Sequence, residues 1–354
     1  MESADLAGVR ARVDAVLHDF LDGRVRAAAA GGMPAEVAET VKTFVGAGGK
    51  RLRPVLCVTG WHAAGGRGDM APLMQAAASL EMFHAFALIH DDVMDHSATR
   101  RGQPTVHRSL TSRHAGGRSA RAATRVGTGA AILIGDVALS WSDELLHTAG
   151  LTDGQLRAVL PLVSAMREEV MYGQYLDLTS TGRPSADAER AMRIVRYKTA
   201  SYTVERPLLI GATLAGAEQC LLEELSAFAL PVGEAFQLRD DLLGVYGDPA
   251  RTGKPCLDDL REGKHTVLVA LAMEHADPDQ QRTLHSLLGN PDLTAEQADC
   301  LLRLLSETGA RQGVEDLITA LLERAEQALA GSSLPADAAG VLRYLAHAAT
   351  RRAS

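Results

Sequence analysis

From residue 71 to residue 90 the chain runs largely on Ala, Leu, Met and Phe, and it then reaches Asp91-Asp92-Val93-Met94-Asp95. A segment so uniformly apolar has few faces to offer water, so as a helix it must be buried on most sides. Three carboxylates at the end of such a helix demand a polar interior there. Elsewhere the pattern is helical as well. Leu6, Val9, Val13, Val16, Leu17 and Phe20 recur at helical spacing within 5–29. Helices are predicted over 71–96, 130–149, 155–178, 187–203, 205–230, 232–246 and 264–275, and over 295–308, 312–331 and 335–350 in the tail. Period-2 alternation and βαβ order are absent from the sequence. The expectation is one all-α domain over 1–354, its helices packed around a central space.

Composition excludes several alternatives. Apolar residues make up 46% of the 354 positions, enough for a sizeable core, and 23% charged residues argue against wholesale disorder. A formal charge of −8 with only 4% aromatics predicts no nucleic-acid partner, which would need basic stripes and stacking surfaces. Cys57, Cys220, Cys256 and Cys300 form no CxxC pair, so neither a disulfide framework nor a zinc knuckle is expected, and a cytoplasmic location follows. The first twenty residues mix charged and apolar positions, unlike a signal peptide. No run of roughly 18 apolar residues stands out, which predicts no membrane span. One stretch breaks the helical pattern: residues 102–128 are rich in Gly and Arg and lack apolar periodicity, so they read as a long, mobile basic loop.

The carboxylates carry the chemistry. On a helix Asp91 and Asp95 lie one turn apart, about 6 Å along the axis. Their mutual repulsion and desolvation would be offset by a divalent cation, and an all-oxygen ligand set points to Mg²⁺. A second cluster repeats the arrangement: Phe236-Gln237-Leu238-Arg239-Asp240-Asp241 ends another apolar helix, with Asp248 further on. Two acidic clusters holding several Mg²⁺ ions would suit a diphosphate. Cations recur beside both: Gly48-Gly49-Lys50-Arg51-Leu52-Arg53-Pro54, Arg100-Arg101, Lys198-Thr199, Lys254 and Lys264. Arg forks and Lys point charges are how proteins hold phosphates. The Walker spacing is absent.

These motifs, in this order, resemble the trans-isoprenyl diphosphate synthases, the polyprenyl synthetase family, and most of all bacterial geranylgeranyl diphosphate synthases. The resemblance rests on GGKRLRP at 48–54, FHAFALIHDDVMDHSATRRGQPTVH at 83–107, GD at 135–136, YKT at 197–199 and FQLRDD…TGK…GK at 236–264, with a motif core of about 40–275. It implies that the all-α domain is a helical bundle around a deep central cavity, with isopentenyl diphosphate ligands at Lys50, Arg53, His84 and Arg101. It implies allylic diphosphate ligands at Arg100, Lys198, Thr199, Gln237, Lys254 and Lys264. Asp91, Asp95 and Asp240 would ligate Mg²⁺, as three ions once diphosphate is bound, with Asp92 and Asp241 in support. Asp91, Asp92, Asp95, Arg100, Lys198, Asp240 and Asp241 would then be the catalytic set, in a homodimer. The family's second cluster commonly reads DDxxD, whereas Gly244 holds the last position here.

The resemblance further implies that bulk just upstream of the first cluster limits product length. Phe86 with the small Ala87 after it, and no insertion inside DDVMD, is similar to C20 synthases. A helical wheel sets Ala87 nearer the Asp91 face than Phe86. Farnesyl or longer synthases remain alternatives, as do a class I terpene cyclase, which needs no second diphosphate site, and a silent subunit, which would be expected to lack aspartates of the first cluster.

Overall fold

The computed structural model describes residues 5–247 and 257–350. Its order is α1 (Asp5–Ala30), α2 (Ala35–Gly46), α3 (Leu52–Ala63), α4 (Ala71–Met94), β1 (Thr99–Arg100), β2 (Gln103–Pro104), α5 (Val106–Arg113), α6 (Ala120–His147), α7 (Asp153–Ser180) and α8 (Ala188–Ile194). A π-helix (Val195–Glu205), α9 (Arg206–Leu214) and α10 (Gln219–Tyr246) follow. Then come α11 (Asp258–Glu262), α12 (Val267–His275), α13 (Pro278–Leu287), α14 (Ala295–Glu307), α15 (Ala310–Ala330) and α16 (Ala336–Thr350). The all-α expectation holds: among the described residues the only strands are the two-residue pair β1–β2.

Contacts divide the chain into two compact units, Met1–Leu160 with Ile210–Ala217, and Pro161–Leu209 with Glu218–Ser354. The first is centred on α4, which packs against α6, α3 and α1. Met74, Met82, Phe83 and Ile89 of α4 are buried with Val13, Leu17, Leu110, Ile134 and Leu145. In the second, α10 packs against α15 and the π-helix. Its core joins Val195, Leu238, Leu242, Leu268, Leu301, Leu305 and Ile318.

The structure corrects the reading of 102–128 as one long loop. Residues 106–113 form α5, and α6 begins at Ala120, capped by Ser119, whose Oγ accepts from the Ala122 N–H. Ala and Arg in the first turns favour helix. Gly127, a loop signal by composition, lies within α6 where α5 passes: a Cβ there would lie 2.6 Å from the His107 carbonyl oxygen. The glycine permits close helix packing, and tertiary contact supplies what periodicity lacks. The expectation that no segment is apolar enough to span a membrane also needs correction. α4 and α6 both meet the length and hydropathy of a span. The apolar window of α4 is 72% buried, as a core helix should be, whereas that of α6 is only 33% buried.

Candidate active site

The first acidic cluster lies at the C-terminal end of α4, with Asp95 as its C-cap. The β1–β2 hairpin follows at once. Its turn residues Arg101 and Gly102 both have positive φ, 54° and 72°, the signature of a type I′ turn. Gly adopts this freely; Arg101 does so at a cost that local structure must offset. The hairpin carries Arg100 back to the cluster. Arg100 Nε donates to both Asp92 oxygens at 2.8 and 2.9 Å, and Nη2 reaches Asp91 Oδ2 at 3.1 Å. Asp92 is 1% exposed, so it serves to hold Arg100 in place. Burial pulls the Arg100 guanidinium down from its ordinary pKa, and Asp92, Asp91 and Asp95 more than offset this, so the net shift is upward.

A cationic pocket lies nearby in the same unit. Phe44, Val45, Arg51, Glu81, His84, Ala85, Leu88 and Arg101 line a small cavity of about 10 Å³. Arg101 Nη1 donates to the Gly48 carbonyl. Arg51, at the start of α3, has a structural role: its guanidinium donates to Asp14 at 2.7 Å, Glu81 at 2.9 Å and the Val45 carbonyl at 2.8 Å. His84 is pushed well below its ordinary pKa, by burial first and then by Arg53, Arg100, Arg101 and Arg51. It is therefore neutral near pH 7. Of the four predicted isopentenyl diphosphate ligands, Arg53, His84 and Arg101 come together here; Lys50 is exposed at the start of the same segment. Glu81, the buried counter-charge, was not anticipated, because a single Glu in an apolar run carries no pattern.

The second unit assembles its own group. The π-helix carries Tyr197, Lys198 and Thr199, and runs of this kind occur mostly at functional sites. Glycines admit its backbone from two sides: a Cβ at Gly173 of α7 would lie 2.7 Å from Lys198 Cα, and one at Gly233 of α10 would lie 2.6 Å from Ala200 Cα. Lys198 Nζ thereby reaches Asp177 Oδ2 at 2.6 Å. Asp177, 6% exposed, was missed; its only sequence signal is the Gly173-Gln174 pair one turn earlier. On α10, Gln237 Nε2 donates to Asp241 Oδ1 at 2.7 Å. Burial, then repulsion from Asp259, Asp240 and Asp177, pushes the Asp241 carboxyl up to about 7 despite that hydrogen bond. Lys264 Nζ lies 3.3 Å from Glu262 and 3.7 Å from Asp259. A Cβ at Gly244 would lie 2.7 Å from Asp259 Oδ2, so the space beside the DDxxD departure already holds a carboxylate. Lys254 and Asp248 lie outside the described residues.

Among the described residues no three His, Cys, Asp or Glu side chains converge to hold an ion. An all-carboxylate set that supplies one or two ligands per point fits Mg²⁺, which keeps waters and takes the rest of its shell from phosphates. Asp91 and Asp95, one turn apart on α4 in the first unit, and separately Asp240 in the second, are carboxylates of that kind.

A profile of the polyprenyl synthetase family matches residues 34–305. A geranylgeranyl diphosphate synthase of Saccharolobus solfataricus is 32% identical over 72% of this chain and 71% of its own. A geranylfarnesyl diphosphate synthase of Aeropyrum pernix is 32% identical over 83% and 86%. A solved geranylgeranyl pyrophosphate synthase from Corynebacterium glutamicum, complexed with isoprenyl diphosphate and magnesium, superposes with a TM-score of 0.92 and 37% identity over 100% of both chains. The chain belongs to the polyprenyl synthetase family of trans-prenyltransferases.

Proposed function

We propose that this chain condenses isopentenyl diphosphate head-to-tail with an allylic diphosphate, in a Mg²⁺-dependent reaction that yields geranylgeranyl diphosphate. The observation that supports this reading is the group of cations Arg53 and Arg101 about His84, in the same unit as the metal-suited carboxylates Asp91 and Asp95. A terpene cyclase has no use for a second anion pocket. Retention of Asp91, Asp92 and Asp95 argues equally against a silent subunit.

Asp91, Asp95 and Asp240 would hold Mg²⁺, three ions with diphosphate bound. When bound, the ions supply Lewis-acid stabilisation of the departing diphosphate. The family resemblance assigns Arg100, Lys198, Thr199, Gln237, Lys254 and Lys264 to the allylic diphosphate, and fixed positive charge at a leaving group stabilises the transition state. Arg100, anchored by Asp92, is preorganised for that task. Lys50, Arg53, His84 and Arg101 hold the isopentenyl diphosphate so that its double bond faces C1 of the allylic cation. His84, neutral, donates a hydrogen bond without adding charge. The diphosphate leaves first with the bonding pair, the double bond of isopentenyl diphosphate then forms the C–C bond at C1, and the released diphosphate is the natural acceptor for the proton then lost. Phe86, buried beside Phe83 and followed by the small Ala87, forms the wall that stops growth at C20.

The reading extends to one catalytic domain over 1–354, since the family match spans both compact units. It also extends to a cytoplasmic homodimer with no membrane span, in which a second copy covers the exposed Ile132 and Leu133 of α6. Incubation with labelled isopentenyl diphosphate, Mg²⁺ and C5, C10 or C15 allylic starters tests the function. Prenyl diphosphates ending at C20 are expected. Hydrocarbons would make the chain a cyclase, no turnover a subunit, and C15 or C25 products a synthase of different length.

A further inference from the structure

His90 stands immediately before the first aspartate, yet neither the diphosphate sites nor the metal ligands use it. Four neighbours define its place, all within the first unit. Its ring lies against the Phe86 ring, centroids 4.7 Å apart at 61°. Its Nε2 is 3.0 Å from the Ile132 carbonyl on α6; a carbonyl only accepts, so Nε2 carries the proton and donates. Its imidazole edge fits into the notch left by Gly135, where a Cβ would overlap Cδ2 and Nε2. Asp136 Oδ1, 3.6 Å from Nε2, lies beside the same edge.

These contacts belong together. Phe86 and His90 are one helical turn apart and share a face of α4. Gly135 lets the imidazole sit deep against α6, and the hydrogen bond to Ile132 keeps it there with its ring against Phe86. We propose that His90 is a positioning residue for product length: seated on Gly135 and tethered to Ile132, it backs Phe86 and keeps that ring in the wall that stops chain growth. The inference rests on the reading of Phe86 as that wall. An edge-to-face contact of this geometry favours the Phe86 rotamer that makes it. Removal of the imidazole leaves an open space next to Phe86, which its ring can enter, and the wall recedes.

The test is the product distribution of the full-length enzyme with a C15 starter, for His90→Ala, Phe86→Ala and the double variant. His90→Gln serves as a second probe, since it keeps a donor for the Ile132 carbonyl and a full-length side chain while removing the flat ring. Both His90 variants are expected to lengthen the major product by at least one C5 unit. The double variant is expected to match Phe86→Ala alone, because His90 acts through Phe86. If Phe86→Ala lengthens the product while both His90 variants keep the wild-type length, the positioning role is overturned and the wall reading survives. If the double variant exceeds Phe86→Ala, His90 is itself a wall and the proposal fails. An unchanged product from Phe86→Ala removes the wall reading and this inference with it.

Discussion

The two acidic clusters look alike in sequence, yet the structure balances their charge in opposite ways. At the end of α4, a neighbouring hairpin delivers one guanidinium to Asp91 and Asp92. On α10, among the described residues, no guanidinium plays that part for Asp241. Its proton is retained up to about pH 7, with Asp259, Asp240 and Asp177 as the repelling neighbours, and its one resolved hydrogen bond comes from a neutral amide. The first cluster is therefore preorganised by a fixed cation. The second holds a carboxyl kept protonated by burial and like charge. An arriving charge lowers the pKa of Asp241, so loading of the second site is coupled to proton release.

The sharpest way to break this contrast is Arg100→Gln. With its guanidinium gone, Asp92 is left almost fully buried without its ion pair, a situation that costs about 3–5 kcal/mol. Chemical denaturation should show a loss of that order. A loss below about 1 kcal/mol would mean that Asp92 is balanced by other groups and that the first cluster resembles the second.

Asp241→Asn probes the other side and should act in the opposite sense. The folded-state pKa of Asp241 is raised from 3.8 to about 7. Between those values the folded protein holds a proton that the unfolded chain has released. The wild type therefore loses stability as pH rises from about 4 through about 7, by an amount on the order of 4 kcal/mol at most. Asn keeps the shape and still accepts from Gln237, but it cannot ionise. Thermal midpoints of the metal-free variant should stay flatter across that window and exceed those of the wild type above pH 7. Parallel curves for the two proteins would remove the retained proton from the account.

Asp91→Asn follows in size. It removes one charge and one proposed metal ligand while Asp92 still anchors Arg100. A fall in kcat of about 10²–10³-fold, with little change in thermal midpoint, is expected from the loss of one preorganised electrostatic contact. Mg²⁺ titration of activity should move to higher concentration in parallel. An unchanged Mg²⁺ requirement would take Asp91 out of the ligand set.

Sequence legibility differed between these regions for identifiable reasons. The long helices were plain because their apolar residues recur at 3.6-residue spacing, and α1 and α4 needed no tertiary information, whereas the helices expected at 205–230 and 232–246 are divided instead after Leu214, with α10 continuous through Pro231. Both clusters were plain because paired aspartates after an apolar run are costly without a function. α5 and the start of α6 were hidden, since their stability comes from the Ser119 cap and from Gly127 packed against α5. Which cation in Lys50-Arg51-Leu52-Arg53 is structural could not be read either. Arg51 is distinguished only by Asp14 and Glu81, 37 and 30 residues away. Asp177 was invisible for the same reason: an isolated carboxylate becomes part of a site only once the π-helix brings Lys198 to it. The division at Pro161 falls inside α7, where no linker marks it.

The smallest predicted effect separates the two substrate sites. Lys198 reaches Asp177 from the π-helix of the second unit, whereas Arg53, His84 and Arg101 gather in the first. Lys198→Met keeps the length and apolar stem of the side chain and deletes its charge. Loss of one charge-assisted hydrogen bond, about 1.5–3 kcal/mol, should raise KM for the allylic diphosphate about 10–100-fold. KM for isopentenyl diphosphate should stay within about twofold of the wild type, and Arg101→Met should show the reverse pattern. Steady-state kinetics with each substrate varied in turn gives both numbers. If the two variants raise both Michaelis constants together, the sites are not separable by charge, and the contrast between a preorganised first unit and a proton-holding second one loses its functional meaning.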